Sequence, residues 1–286
     1  MAKSVVIAEK PSVARDIAKV LKCTKKGNGF LEGDKYIVTW ALGHLVTLAD
    51  PEAYDNKYKT WNLEDLPMLP ERMKLVVIKQ TGKQFNAVKH QLTRNDVNEV
   101  IVATDAGREG ELVARWIIEK AKVNKPIKRL WISSVTDKAI KDGFNNLKPG
   151  KAYENLYASA VARSEADWYI GLNATRALTT KFNAQLNCGR VQTPTVAMIA
   201  SREDEIKNFK AQTYYGIEAQ TTDRLKLTWQ DANGNSRSFN KEKIDGIVKG
   251  LDKHNATVVE IDKKQKKSFS PGLYDLTELQ RDANKK

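Results

Sequence analysis

Two cysteines are all that the 286 residues contain, Cys23 and Cys188, and they form no Cys-x-x-Cys pair. That excludes a disulfide framework or a zinc ribbon as the basis of the fold. No apolar run approaches the length that spans a bilayer. The N-terminus runs straight into a strand pattern with no signal-peptide layout, so a cytoplasmic protein is expected. A Walker phosphate loop is missing, as is Gly-x-Gly-x-x-Gly, so neither ATP nor a dinucleotide is implied. Internal repeats and low-complexity tracts are missing too. Negative charge is in deficit: 35 Asp and Glu face 48 Lys and Arg, leaving a net +13. Such an excess suits a polyanionic partner, because each neutralised phosphate releases counterions. It is also compatible with plain solubility or a membrane surface.

What the chain does contain is a regular alternation over its first half. Strand patterns fall at 5–8, 36–41, 75–78, 100–104 and 127–132. Helical apolar spacing falls near 13–21, 83–92, 111–122 and 136–145. Strands alternating with helices predict an α/β domain over residues 1–149, a mostly parallel sheet flanked by helices. Leu147-Lys148-Pro149-Gly150-Lys151 is a breaker cluster and marks the first boundary. Residues 150–210 read as helical, in two segments split by 183–192. Residues 211–268 read as a smaller β-rich part, with strand patterns at 214–219, 225–229 and 257–261. The basic run Lys263-Lys264-Gln265-Lys266-Lys267 reads as a solvated linker.

Chemistry concentrates where strands end. The apolar run Val100-Ile101-Val102-Ala103 is followed by Thr104-Asp105-Ala106-Gly107-Arg108-Glu109-Gly110-Glu111, and then by a helical pattern. Open α/β sheets build their sites at such junctions. Val5-Val6-Ile7-Ala8 is followed in the same way by Glu9-Lys10-Pro11-Ser12. One carboxylate per strand end, on strands that could be neighbours, suits Mg²⁺, which binds through one or two carboxylates plus water and phosphate. Taken singly, Asp or Glu in a first helical turn is an ordinary response to the helix dipole. Together, with two glycines and Arg108 between them, they read as a site.

These residues also carry a resemblance. Glu9-Lys10-Pro11-Ser12 followed by Asp105 to Glu111 resembles the Toprim domain of type IA DNA topoisomerases, in particular the bacterial topoisomerase III branch. The likeness continues through Ala41-Leu42-Gly43-His44-Leu45, Ala162-Arg163-Ser164-Glu165-Ala166-Asp167-Trp168 and Gly189-Arg190-Val191-Gln192-Thr193-Pro194. It covers nearly the whole chain in the expected order. The resemblance implies Mg²⁺ held by Glu9, Asp105 and Glu109, with Glu9 and Lys10 as catalytic groups. It further implies a single-strand-DNA-binding domain in 150–210, part of the gate or arch in 211–268, and the start of a tyrosine-bearing domain in 269–286. One departure stands out: the family's acidic motif is commonly Asp-x-Asp-x-Glu, and its middle position here is Gly107. That puts a second metal ion in doubt.

Several residues could hold DNA. Arg163 and Asp167 are four apart and share a helix face, with Trp168 and Arg176 elsewhere on the same helix. Arg pairs bidentately with phosphate and an indole stacks on bases. Without the resemblance, an intrahelical ion pair and a core Trp are the better account; with it, Arg163, Trp168 and Arg176 read as DNA contacts. Asn187-Cys188-Gly189-Arg190-Val191-Gln192 leads into the next helix, with Thr193 placed as N-cap and Pro194 at the first helical position. In the resembling family this segment lines the single-strand groove; otherwise it is a capped glycine turn. Cys188 reads as a small packed residue, since nothing near it supplies a His. Trp61, beside Lys57, Lys59 and Thr60, either clamps a single strand or anchors its loop to the core. His44 reads as structural.

The resemblance implies ATP-independent strand passage on single-stranded DNA. A tyrosine attacks a phosphodiester, a 5′-phosphotyrosyl link stores the bond energy, and religation reverses it. That tyrosine lies in a Tyr-Pro-Arg-Thr context, which does not occur here. Tyr274, in Pro271-Gly272-Leu273-Tyr274-Asp275-Leu276-Thr277, matches a lead-in position instead. The chain is therefore expected to be an N-terminal part of a longer, nucleoid-associated enzyme, for which a helicase is a candidate partner. Two rivals stand beside it: another Toprim phosphotransferase, such as a primase or nuclease, and a single-strand-binding module without catalysis.

Overall fold

A computed structural model describes residues 2–251 and 255–285, and the chain divides into two compact units, Met1–Asp204 and Glu205–Lys286. The first is organised by strand β1 (Lys3–Ala8), whose residues from Ser4 onward are all buried. A continuous apolar run, with no polar alternation, is what a strand covered on both faces requires. β1 lies between β4 (Tyr36–Trp40) and β7 (Val97–Ala103) and is parallel to both. β8 (Ile127–Arg129) continues the parallel part beyond β7. The edges are antiparallel: a hairpin of β2 (Lys25–Gly27) and β3 (Phe30–Glu32) on one side, and β9 (Lys148–Pro149) on the other. The strand order is β2-β3-β4-β1-β7-β8-β9. The sheet is flanked by helices as expected, but it is mixed, with parallel pairing confined to its centre.

Because the period of a strand is two, its faces feed different helices. Val5, Ile7, Ile37, Val100 and Val102 pack with α2 (Gly82–Leu92) and α3 (Arg108–Lys120) through Phe85, Val88, Leu112, Trp116 and Ile117. Val6, Ala8, Val38, Ile101 and Ala103 pack with α1 (Pro11–Val20) and α4 (Asp137–Asn145) through Ala14, Ile17 and Ile140. Each such aliphatic side chain contributes about 1.5–3 kcal/mol by leaving water. The β2–β3 hairpin was not anticipated, although Asn28-Gly29 is a hairpin-turn signal and Gly29 takes φ +79°. At the amino end of β1, Lys3 Nζ and Arg94 Nη2 hold the buried Glu32 carboxylate at 2.6 and 2.9 Å.

The segment expected as a sheet strand at 75–78 forms β6 (Leu75–Val77), which pairs antiparallel with β5 (Val46–Leu48) outside the main sheet. Between them residues 49–74 form a strap containing three 3-10 turns, Pro51–Ala53, Asn56–Lys59 and Leu63–Asp65. Helix α5 (Glu154–Phe182) follows the sheet and stops at Asn183, which adopts φ +46°. Helix α6 (Gln192–Lys207) comes next. In the second unit β10 (Glu218–Gln220) and β11 (Lys226–Thr228) form a small antiparallel pair, shorter than the patterns predicted. α7 (Lys241–Leu251) was not anticipated, and α8 (Leu276–Ala283) closes the described residues. The predicted strand at 257–261 takes no regular structure: Val258, Val259 and Ile261 are all exposed, so no buried face fixes an extended register. Among the described residues no helix is long and apolar enough to cross a membrane.

Candidate metal corner and nucleic-acid face

β1, β4 and β7 end level, since Ala8 pairs with Trp40 on one side and Ala103 on the other. The residues just beyond those ends are therefore gathered at one edge of the sheet. The Asp105 N–H donates to Glu9 Oε2 at 3.1 Å, and Lys10 Nζ donates to Asp105 Oδ2 at 3.3 Å. The Gly43 N–H reaches the Glu9 carbonyl at 3.4 Å, which brings His44 alongside. His44 Nε2 lies 4.0 Å from Glu109 Oε2. Glu9 and Asp105 are thus adjacent, while Glu109 stands in the first turn of α3 opposite His44. Among the described residues no three His, Cys, Asp or Glu side chains converge on one point. The Asp105 and Glu109 side chains are both more than half exposed. Open carboxylates with room for water and phosphate are the donor set that fits Mg²⁺.

The turn carrying Asp105 is tightly folded. Gly107 N–H donates to the Asp105 carbonyl at 2.9 Å, and Glu111 N–H to the Gly107 carbonyl at 3.2 Å. Thr104 Oγ1 donates to the Gly110 carbonyl at 2.8 Å. A side chain at Gly110 would collide with the Asp105 carbonyl oxygen, so glycine is required there. Beneath the turn lies an ion pair that sequence reasoning missed: Arg129 Nε donates to Glu111 Oε1 at 2.5 Å, with both side chains almost wholly buried. The available signal was an arginine set in the run Ile127-Lys128-Arg129-Leu130-Trp131.

A second set of groups lies along α5. The Trp168 indole N–H donates to the Ala49 carbonyl at 2.9 Å, and its ring is 9% exposed, packed edge-on against Tyr54 and Tyr169. Tyr169 Oη donates to the Pro70 carbonyl, and Asn173 Oδ1 accepts from the Met68 N–H at 2.6 Å. Arg176 Nη1 donates to the Tyr58 carbonyl at 2.6 Å, and the guanidinium lies 5.0 Å beneath the Trp61 ring. One face of α5 therefore clips the strap in place. Burial lowers the pKa of Arg176, and its buried Nε has no hydrogen-bond partner. Trp61 is 45% exposed above it.

Residues 183–192 fold back onto the same helix. Cys188 N–H donates to Thr175 Oγ1 at 2.9 Å, and Thr175 Oγ1 donates to the Cys188 carbonyl at 3.2 Å. Arg190 Nε donates to Asp167 Oδ1 at 2.6 Å, which holds Asp167 below the usual carboxylate range. Asn187, Arg190, Val191 and Gln192 are exposed, whereas Cys188, Gly189 and Arg163 are half-buried. The α6 helix opens at Gln192, earlier than predicted, so Thr193 lies inside the first turn. Its Oγ1 accepts from the Gly189 N–H at 3.0 Å instead of capping ahead of it. Tyr274 precedes α8, and its hydroxyl donates to Asp282 Oδ2 at 3.0 Å.

Comparison with known proteins bears on this arrangement from both ends of the chain. The Toprim domain family matches residues 4–135, and the DNA topoisomerase family matches 151–286. The DNA topoisomerase 3 proteins of Bacillus thuringiensis (strain Al Hakam) and Bacillus anthracis are each 92% identical over 286 residues. That of Bacillus subtilis (strain 168) is 69% identical over 287 aligned positions. Toprim and DNA topoisomerase matches thus lie side by side along nearly the whole chain. The chain covers all of its own length in the matches to these relatives and 39% of the length of each relative. In architecture it is similar to the full-length topoisomerase I of Thermotoga maritima, with a TM-score of 0.57 over 85% of this chain and 37% of that one, at 22% identity.

The departure at Gly107 has a simple local setting. The backbone there is extended, with φ −175°, and a Cβ would meet nothing within 4 Å. Neither strain nor crowding requires glycine at that position, unlike Gly110. The corner accordingly carries Asp105 and Glu109 without a carboxylate between them.

Proposed function

We propose that this chain is the part of a type IA topoisomerase that binds single-stranded DNA and steadies its phosphate with Mg²⁺, while the attacking tyrosine belongs to the longer protein. The observation that carries the reading is the Glu9–Asp105 juxtaposition at the ends of two parallel strands. Glu9, Asp105 and Glu109 would hold the ion, which would neutralise charge on a bound phosphate. Lys10 offsets phosphate charge beside it, and Glu9 serves the proton of the leaving 3′ oxygen. Trp61 stacks on a base, with Arg176 beneath it as a cation that retains an unpaired N–H. Arg163, Trp168 and the segment Asn187-Cys188-Gly189-Arg190-Val191-Gln192 shape the groove. Trp168 acts there by holding the strap, because its ring and N–H are already engaged. The 1–149, 150–210, 211–268 and 269–286 divisions correspond to Toprim, strand-binding, gate and tyrosine-bearing parts. The setting is the bacterial cytoplasm, at the nucleoid, with a helicase as a partner of the longer protein.

Three experiments test this. Single-strand affinity of the chain should rise with Mg²⁺, and a Glu9→Gln/Asp105→Asn double variant should lose that dependence; an unchanged dependence would favour a binding module without a metal site. Arg190→Ala should reduce the salt slope of binding by about one. End-labelled single strands incubated with the chain and Mg²⁺, then denatured, should remain intact. A covalent adduct would overturn the assignment of the nucleophile to the longer protein, and free cleaved product would revive the nuclease reading.

A further inference from the structure

Arg129 is the largest of the fully buried side chains among the described residues, and its donors tie the end of β7 and the Asp105 turn to Leu130 and Glu111. Nη1 donates to the carbonyls of Val102, Thr104 and Leu130 at 3.2, 2.7 and 2.7 Å. Nη2 donates to the Asp105 carbonyl at 2.6 Å. Nε takes one oxygen of Glu111, while the other oxygen accepts from Arg115 Nε at 2.8 Å. Arg115 in turn donates to the Gly150 carbonyl at 2.6 Å. Above the guanidinium, at 4.9 Å, lies the Trp131 ring, itself stacked on Tyr153.

A buried ion pair is weak grounds for stability, since apolar residues of like volume often do as well. What apolar residues cannot do is fix the direction of peptide groups. A trans peptide is planar, with its C=O and N–H pointing opposite ways. The unit joining Thr104 to Asp105 has its C=O on Arg129 and its N–H on Glu9 Oε2. Turning that plane would release the Glu9 carboxylate. The next unit has its C=O on Arg129 as well, which sets where the Asp105 side chain leaves the backbone.

We propose that Arg129 is the positioning residue of the acidic corner, orienting Glu9 and Asp105 through two successive peptide planes, with Glu111 locked as its counter-charge and not used as a ligand. The inference rests on the metal reading above and extends it to residues that never touch the ion.

The test uses the 286-residue chain and two readouts: Mg²⁺ affinity by calorimetry, and hydrogen exchange at the Asp105 and Gly107 amides. Arg129→Lys keeps a charge for Glu111, but one ammonium cannot serve four carbonyls. It should weaken Mg²⁺ binding about tenfold and speed exchange at both amides by a similar factor. Arg115→Met removes the other partner of Glu111 and the bond to Gly150 without touching the Asp105 turn, and should leave Mg²⁺ affinity within about twofold, which counts as no effect. If Arg129→Lys fails to fold, the isosteric Glu111→Gln should show the same pattern at about threefold, a smaller effect because Arg129 keeps an acceptor. A variant that melts earlier yet keeps both Mg²⁺ affinity and Asp105 exchange at wild-type values would show a merely structural role and overturn the proposal. If the unmodified chain binds no Mg²⁺, the metal reading fails, and the exchange measurement alone decides on the clamp.

Discussion

The two ends of β1 carry carboxylates in opposite circumstances. At the amino end Glu32 is buried, with Lys3 and Arg94 against it, and those cations hold its pKa down at about 2. At the carboxyl end Asp105 is mostly exposed, with one exposed lysine at 3.3 Å, and Glu9 accepts a main-chain N–H. Both ends are acidic, and both involve long-range contacts across the same sheet. The difference lies in where the countercharge sits. Glu32 has its cations supplied permanently from within, so it is spent on the fold. Asp105 has its oxygens turned outward, and the buried cation nearby, Arg129, is committed to main-chain carbonyls instead. A carboxylate available to a ligand is thus recognised by what its neighbours leave unpaired.

Three substitutions and one control would break or sharpen that contrast. The largest effect is expected from Gly110→Ala, whose Cβ meets the Asp105 carbonyl oxygen. A cost of about 3 kcal/mol in urea unfolding, with loss of Mg²⁺ response, should follow because backbone cannot move aside as a side chain can. Gly107→Ala is its control and should be close to neutral, since nothing lies within 4 Å.

Next comes Glu32→Gln, which leaves Lys3 and Arg94 short of a partner and should cost about 2 kcal/mol at neutral pH. The sign of its pH dependence is fixed by the lowered value in the folded state. The stabilisation from Glu32 is fully present above the ordinary carboxyl value, about 4.3, and drains away as the pH falls toward 2. Acid titration of stability should therefore be shallower in the variant; equal slopes would show that other carboxylates govern the acid limb.

Smallest in stability is Asp105→Asn, expected within about 0.5 kcal/mol of wild type. Its signature is elsewhere: Mg²⁺ should no longer raise the melting temperature. A large loss of stability from Asp105→Asn would erase the distinction between the two ends.

The sequence was legible where a buried face imposed its period. β1, β4 and β7 and helices α1 to α4 fall within a few residues of the apolar patterns, because each packs on the sheet from a defined side. It was less legible at 75–78, where a strand pattern is satisfied by pairing with β5 outside the sheet. At 257–261 no partner fixes the register. Of the corner, Glu9, Lys10, Asp105 and Glu109 were visible as acidic and basic residues at strand ends. The Glu111–Arg129 pair was not, since residues 18 apart in sequence meet only once α3 and β8 are packed. On α5, the pattern of Arg and Trp was visible, but its use was not: Trp168 and Arg176 turn toward the strap, which periodicity alone cannot reveal.

The strap has a consequence for how the first unit comes together. Its ties to α5 join Ala49 to Trp168, Tyr58 to Arg176 and Met68 to Asn173, partners separated by 119, 118 and 105 residues. The parallel centre of the sheet is complete in sequence by Arg129. Contacts of such long separation form late, because the intervening chain must lose its freedom first. During synthesis the sheet can therefore assemble while residues 49–74 still hang free. The clasp shuts only after α5 has emerged, and the aromatic shelf at Trp61 is set with it rather than with the sheet.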